Sequence, residues 1–166
     1  MAKREILTLQ IERRPFYKGS RYLGPRGGPI LYASAPPAPE LVAEFTASTP
    51  EKEHLKNSLV LRSAMIGSWF AISAYEGKQF IGCGRLISDG TTCAMLTDLT
   101  VKRTHRRRGV ATSILIRLVA RCREYGIREI RLFSTPALRQ FFERRSFTSD
   151  DTAAVAMVMA IEDEKL

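Results

Sequence analysis

A chain of 166 residues, 45% hydrophobic and 26% charged, can bury one substantial core and is too apolar for wholesale disorder. Its net charge of +9 favours an anionic partner, whether nucleic acid, a membrane surface or a phosphorylated ligand, and disfavours a cationic one at long range. Its three cysteines, Cys83, Cys93 and Cys122, form no CxxC pair and meet only two histidines, which argues against a metal site and against a disulfide framework.

Three unpaired thiols fit a reducing compartment. The N-terminus is charged and no long apolar run follows it. The expectation is a soluble cytoplasmic or nuclear protein, with no signal peptide, no transmembrane span and no membrane partner. Residues 1–39 are the least readable and stand as an N-terminal extension to one domain covering 1–166. Within them Leu7, Leu9 and Ile11 alternate with Thr8 and Gln10, a strand pattern. Residues 17–29, rich in Gly, Arg and Pro, predict an exposed loop.

Helical spacing of Leu41, Val42 and Phe45 predicts a helix over 40–47. A second is predicted over 51–65, opened by Pro50 and ended by Gly67. Residues 69–75, 80–88 and 92–101 read as three antiparallel strands. Turns at Glu76-Gly77-Lys78 and Asp89-Gly90 join them. Then the period changes. Ile114, Leu115, Leu118, Val119 and Cys122 lie on one face of a helix over 110–125, with Gly126 just beyond its end. Residues 127–133 predict a strand, 137–145 a short helix, and 153–161 a last strand. The order predicts a mixed α/β domain with a βαβ crossover near its end.

The informative stretch is Leu96-Thr97-Asp98-Leu99-Thr100-Val101, running into Lys102-Arg103-Thr104-His105-Arg106-Arg107-Arg108-Gly109-Val110-Ala111-Thr112. A strand enters a basic, glycine-containing loop that opens a helix. Such a junction presents unpaired backbone N–H groups and the positive helix end to an anion. Gly109 allows close approach, Ala111 keeps the first turn narrow, and the arginines carry donors suited to phosphate oxygens. The bland alternative is a solvated arginine run. Neither a Walker loop nor a Rossmann GxGxxG is present.

Arg106-Arg107-Arg108-Gly109-Val110-Ala111, after Leu99-x-Val101, resembles the acetyl-CoA motif of the GNAT acetyltransferase superfamily, Arg/Gln-x-x-Gly-x-Gly/Ala. Gly82-Cys83-Gly84-Arg85-Leu86-Ile87-Ser88-Asp89-Gly90 resembles the preceding hairpin of a branch holding small bacterial members and plant serotonin N-acetyltransferase-like enzymes. The run from Phe141 to Phe147 resembles the family's later Phe-Tyr-x-x-x-Gly-Phe element, and the likeness covers about residues 66–147. It implies a GNAT fold: a mixed, mostly antiparallel central sheet, splayed at the acetyl-CoA site and flanked by helices. It also implies acetyl-CoA as cosubstrate, with no metal. The pantetheine arm would pair with backbone groups of Leu99 and Val101, flanking Thr100. Backbone N–H groups from Arg107 through Arg108, Gly109, Val110, Ala111 and Thr112 would hold the pyrophosphate, and Arg106 would order the loop.

The implied reaction is direct acetyl transfer to a primary amine of a small molecule, a protein lysine or an N-terminus. The amine must lose a proton, and a strand N–H, that of Leu99, would stabilise the developing oxyanion. Asp98 is read either as the base or amine-orienting anion, or as a structural carboxylate near a bulge. Strand alternation sets it opposite Leu99 unless a bulge intervenes. Phe142 replaces the family's tyrosine and has no proton to donate, and Ser146 replaces a glycine. Ser134 and Thr135 are read as pantetheine contacts or a helix N-cap. Trp69, Phe70, Tyr32 and Tyr75 are read as an arylalkylamine pocket or as core. Two other readings stand behind the enzyme: a catalytically weak acetyl-CoA-binding regulatory protein, and a nucleic-acid-binding module. The last is disfavoured because no aromatics interleave with the arginines. A homodimer through the strand at 153–161 is a further option.

Overall fold

The computed structural model describes residues 28–49 and 57–148. The strand expected at 7–11, most of the loop at 17–29, the start of the helix at 51–65 and the strand at 153–161 lie outside them. The described residues fall into two compact parts, the first ending at Leu132 and the second beginning at Phe133.

The first part is built on a five-stranded sheet in the order β1-β2-β3-β4-β5. β1 (Ile30–Ala33), β2 (Phe70–Glu76), β3 (Gln79–Ser88) and β4 (Cys93–Val101) pair antiparallel, and β5 (Glu129–Arg131) pairs parallel with β4. The fold class is therefore α/β with a mixed, open sheet. The two tight connections follow the local chemistry. Gly77 turns at φ 58° between β2 and β3. Asp89 accepts from the amides of Thr91 and Thr92 at 2.8 and 3.0 Å, and Gly90 adopts φ 81°, between β3 and β4.

Glycines in β3 set the packing of α3 (Val110–Glu124) on the sheet. A Cβ on Gly84 would lie 2.9 Å from Ile114 Cγ2, 3.1 Å from Leu118 Cδ1 and 3.2 Å from Leu99 Cδ1. One on Gly82 would crowd Val101 and Ile114. Of the predicted apolar stripe, Ile114, Leu115, Leu118 and Cys122 are buried there and Val119 is half-buried, while Val110 joins them. Alternate β3 residues face the other way. Cys83 joins Val42, Phe45, Leu61, Met65, Ala71 and Phe80 in a core beneath α1 (Pro39–Ala47) and α2 (Ser58–Ile66), where the Phe45 and Phe80 rings lie 4.6 Å apart.

The structure refines three readings. Of the helix expected over 51–65, the described part is α2, and Asn57 before it is extended at φ −87°, ψ 112° and caps α2 by accepting from Leu59 and Val60 amides, so no single helix runs through that position. The strand expected over 127–133 shortens to Glu129–Arg131, because β5 meets only Cys93, Ala94 and Met95 of β4. Ile30–Ala33, within the stretch least readable in sequence, forms β1; without alternating burial it carries no period-two signal and owes its form to pairing with β2.

In the second part, α4 (Pro136–Glu143) opens at Thr135 with proline in its first turn, and no side chain caps it. The expected N-cap hydrogen bond from Ser134 or Thr135 is thus not made. Phe142 stacks edge-on with Phe141 and Phe147, at 5.0 and 5.6 Å between ring centroids. Ser146 adopts φ 65°, the left-handed conformation natural to the glycine it replaces.

Candidate functional site

The splay in the sheet comes from a change of partner along β4. Its first three residues pair with β5, and beyond Met95 no described strand continues the ladder on that side. On the other side β3 stays paired through Val101. The Lys102 N–H donates to Ile81 O at 2.7 Å, towards β3. Strand alternation then turns the N–H and C=O of Val101 and Leu99 to the open edge. Arg106 Nε donates to the Val101 carbonyl there, at 3.2 Å.

The pairing of β3 and β4 shifts between Cys83 and Arg85. Cys83 faces Thr100 and Arg85 faces Thr97, so Asp98 and Leu99 together oppose Gly84. This is a β-bulge, and Asp98 takes a left-handed φ of 52° within it. The Asp98 carboxylate is buried and accepts from Arg85 Nε at 2.5 Å. The backbone carbonyl of Asp98 accepts from Cys83 Sγ at 3.6 Å. Arg85 Nη1 also reaches Ser68 Oγ, just past α2, at 3.4 Å. Next along the strand, the Thr100 hydroxyl is buried with no hydrogen-bond partner among the described residues.

Beyond β4 a 3-10 turn (Arg103–His105) leads into the loop that opens α3. Arg107 and Gly109 are both left-handed, at φ 61° and 77°, so the backbone curls on either side of Arg108. Gly109 is the N-cap of α3, with no side-chain cap and nothing within 4 Å of where a Cβ would sit. The first hydrogen bond turning into the helix is Ser113 N–H to Gly109 O, at 2.9 Å. The amides before it therefore face the helix end, as an anion site requires.

The arginines themselves are less exposed to an anion than their spelling suggests. Besides Arg106 on Val101, Arg108 grips Glu76 at the end of β2, Nη2 to Oε1 at 2.5 Å and Nη1 to Oε2 at 3.3 Å. His105 is buried and places Nε2 2.9 Å from Glu76 Oε2, with Nδ1 2.8 Å from Thr104 Oγ1. Sequence reasoning singled out neither Glu76 nor Arg85 for a role at the site. Both lie on neighbouring strands, and no local pattern announces a partner across a sheet. The Arg108 guanidinium, first, and the His105 ring hold the Glu76 carboxyl below the usual glutamate range, against a smaller opposing effect of burial. A lowered folded value means that the stabilisation is complete above the unfolded glutamate value and disappears as pH falls through the folded one. The melting-temperature gap between the wild type and Glu76→Gln should accordingly be constant near neutrality and shrink on acidification, measured by calorimetry across pH.

Among the expected pocket aromatics, Tyr32 lies under the Arg117 guanidinium at 4.1 Å and Phe70 under that of Arg121 at 5.0 Å. Trp69 packs on Tyr125 at 5.1 Å, and Tyr75 on Phe80 at 5.7 Å. No group of three or more metal-ligating side chains occurs among the described residues, and no described helix is long and apolar enough to cross a membrane.

An open strand edge leading into an uncapped, glycine-opened helix is the frame of an acyl-CoA-dependent transferase. Residues 32–147 match the model of the acetyltransferase (GNAT) family, and the chain belongs to that family, whose members use acetyl-CoA. Solved structures agree on the fold. A probable acetyltransferase from meticillin-resistant Staphylococcus aureus superposes with TM-score 0.68 at 14% identity, over 80% of this chain and 100% of that one. A predicted acetyltransferase from Clostridium acetobutylicum, solved with acetyl-CoA, gives 0.57 at 18% identity, over 78% and 96%. Glucosamine-6-phosphate N-acetyltransferase from Arabidopsis thaliana gives 0.58 at 11% identity, over 81% and 99%. No curated protein sequence matches the chain.

Proposed function

We propose that this protein binds acetyl-CoA and transfers its acetyl group to a primary amine. The observation that carries this reading is the loss of β5 beside β4 after Met95, which leaves the Leu99 and Val101 edge without a strand partner among the described residues just before the amides of α3. An extended pantetheine arm fits the edge as an added strand. A diphosphate fits the helix end, where Gly109 leaves the approach clear. Acetyl-CoA supplies the activated acetyl; the chain supplies the edge, the amides of Arg107 through Thr112, and the Leu99 N–H for charge developing on the carbonyl oxygen. The test is calorimetric titration with acetyl-CoA, followed by CoA release assayed against a panel of small amines and lysine peptides. Absence of binding by the wild type would defeat the reading.

The pairing of Asp98 with Arg85 favours the structural role for that carboxylate over the role of base. Asp98→Asn keeps a residue that tolerates left-handed φ and an acceptor for Arg85. We expect it to retain most of the wild-type kcat, and Asp98→Ala, which loses both, to be the weaker enzyme. A loss in Asp98→Asn of about 10²-fold or more would instead mark proton transfer by Asp98. Without a dedicated base, kcat/KM should rise with pH along the free-amine fraction of the acceptor.

A second reading, acetyl-CoA binding with little turnover, is favoured by the same ion pair together with Phe142, which has no hydroxyl to protonate a departing thiolate. It predicts tight binding and no amine-dependent CoA release. The hydrogen bonds that tie Arg106 to the Val101 carbonyl and Arg108 to Glu76 argue against a nucleic-acid face on the arginine cluster.

A further inference from the structure

We propose that Glu76 is a positioning residue that clamps the 103–109 loop into its anion-binding shape, and that Arg108 serves this clamp instead of contacting phosphate; the inference rests on the acetyl-CoA reading above. Glu76 ends β2, while the loop it holds follows β4, so the clamp reaches past the end of β3. It has two arms. Arg108 meets both carboxylate oxygens, at 2.5 and 3.3 Å, fork against fork. His105 meets Oε2 at 2.9 Å from a buried position. An ionised carboxylate only accepts, so the His105 proton sits on Nε2.

The arms enclose the strained part of the loop. Arg107 lies between His105 and Arg108 with φ 61°, a conformation that is costly for an ordinary side chain and persists only where neighbours impose it. Two other contacts fix the approach to the loop: Lys102 Nζ reaches Glu44 Oε1 at 3.2 Å, and Arg106 Nε reaches Val101 O. The start of α3 itself, at Gly109, carries no side-chain cap. Ordering the loop while leaving those amides uncapped is preorganisation: an anion meets donors already placed and owes little ordering entropy.

The roles of Arg108 as clamp or as phosphate ligand are separable. Wild type, Glu76→Ala, Arg108→Ala and the double variant would be compared by two readouts: the dissociation constant of acetyl-CoA, and amide hydrogen exchange over residues 103–112 without ligand. The clamp predicts that each single variant weakens acetyl-CoA about tenfold, the size of a lost charge-assisted hydrogen bond, and that the double variant is no worse than either single. Exchange in the loop should speed up in all three. Glu76→Gln, which keeps the shape and one acceptor, should shift both readouts by a smaller factor if the alanine variants fold poorly. Additive losses of affinity would overturn the proposal and make Arg108 a direct ligand. Unchanged exchange in a folded Glu76→Ala or Glu76→Gln would overturn it as well. Failure of the wild type to bind acetyl-CoA would defeat the cofactor reading, and the exchange data, taken without ligand, would still decide whether Glu76 holds the loop.

Discussion

Gly84→Val should lower stability by about 3 kcal/mol and abolish acetyl-CoA binding with it. The added side chain begins at a Cβ already 2.9 Å from Ile114 Cγ2 and close to Leu118 and Leu99. Real Cβ contacts are never that short, so something must move. Ile114 and Leu118 are fully buried, so their ends have no solvent to yield into. The available movement is for α3 to lift from β3, carrying the amides of its first turn away from the β4 edge. Leu99 would be displaced too, and it sits in the bulge opposite Gly84. Gly84→Ala makes the graded control, with a loss of about 1 kcal/mol. Urea unfolding midpoints with an unchanged slope would measure both. A Gly84→Val protein as stable as wild type would mean that α3 does not approach β3 through this glycine.

Gly109→Asp should do the opposite, sparing the fold and removing the ligand. A Cβ there meets nothing within 4 Å, so the substitution is free of clash. Its cost is the left-handed φ of 77°, about 1 kcal/mol, and Asp is among the residues that tolerate it best. The carboxylate, however, would stand at the helix end where the diphosphate is proposed to lie. Two like charges about 4 Å apart near a protein surface repel by about 4 kcal/mol, which corresponds to roughly a thousandfold in affinity. Gly109→Asn has nearly the same shape and backbone tolerance without the charge, and should lose no more than about tenfold. Calorimetry on the pair, with circular dichroism to confirm folding, separates charge from geometry. Equal losses in both variants would show that no anion binds at this helix end.

The two variants also mark what was legible beforehand. Gly109 declared itself locally: a glycine between a basic run and an amphipathic helix reads as a point of close approach at the helix start, and the structure makes it the N-cap of α3. Gly84 did not. A glycine inside a strand reads only as a small residue, and the helix that needs the space begins 26 residues later, at Val110. Asp98 shows the same limit. Its strand position leaves two roles open, a carboxylate at the reacting centre or a structural one near a bulge; where the bulge falls, and Arg85 that holds the carboxylate, depend on register with β3.

From the sequence alone came the order of strands and helices over most of residues 40–145, the apolar face of α3, both tight hairpins and the GNAT-like junction at Arg106–Ala111. Each is a local or periodic property, written within a few residues by side-chain alternation, by turn chemistry or by capping. The tertiary structure alone decided where β5 stops pairing, and hence where the sheet opens. It alone set the bulge at Asp98 and Leu99, the pairing of β1, and the capture of Arg108 and His105 by Glu76. These are pairings between distant segments, and their partners are chosen by packing and register; an arginine run reads the same in sequence whether its charges face solvent, phosphate or a half-buried glutamate.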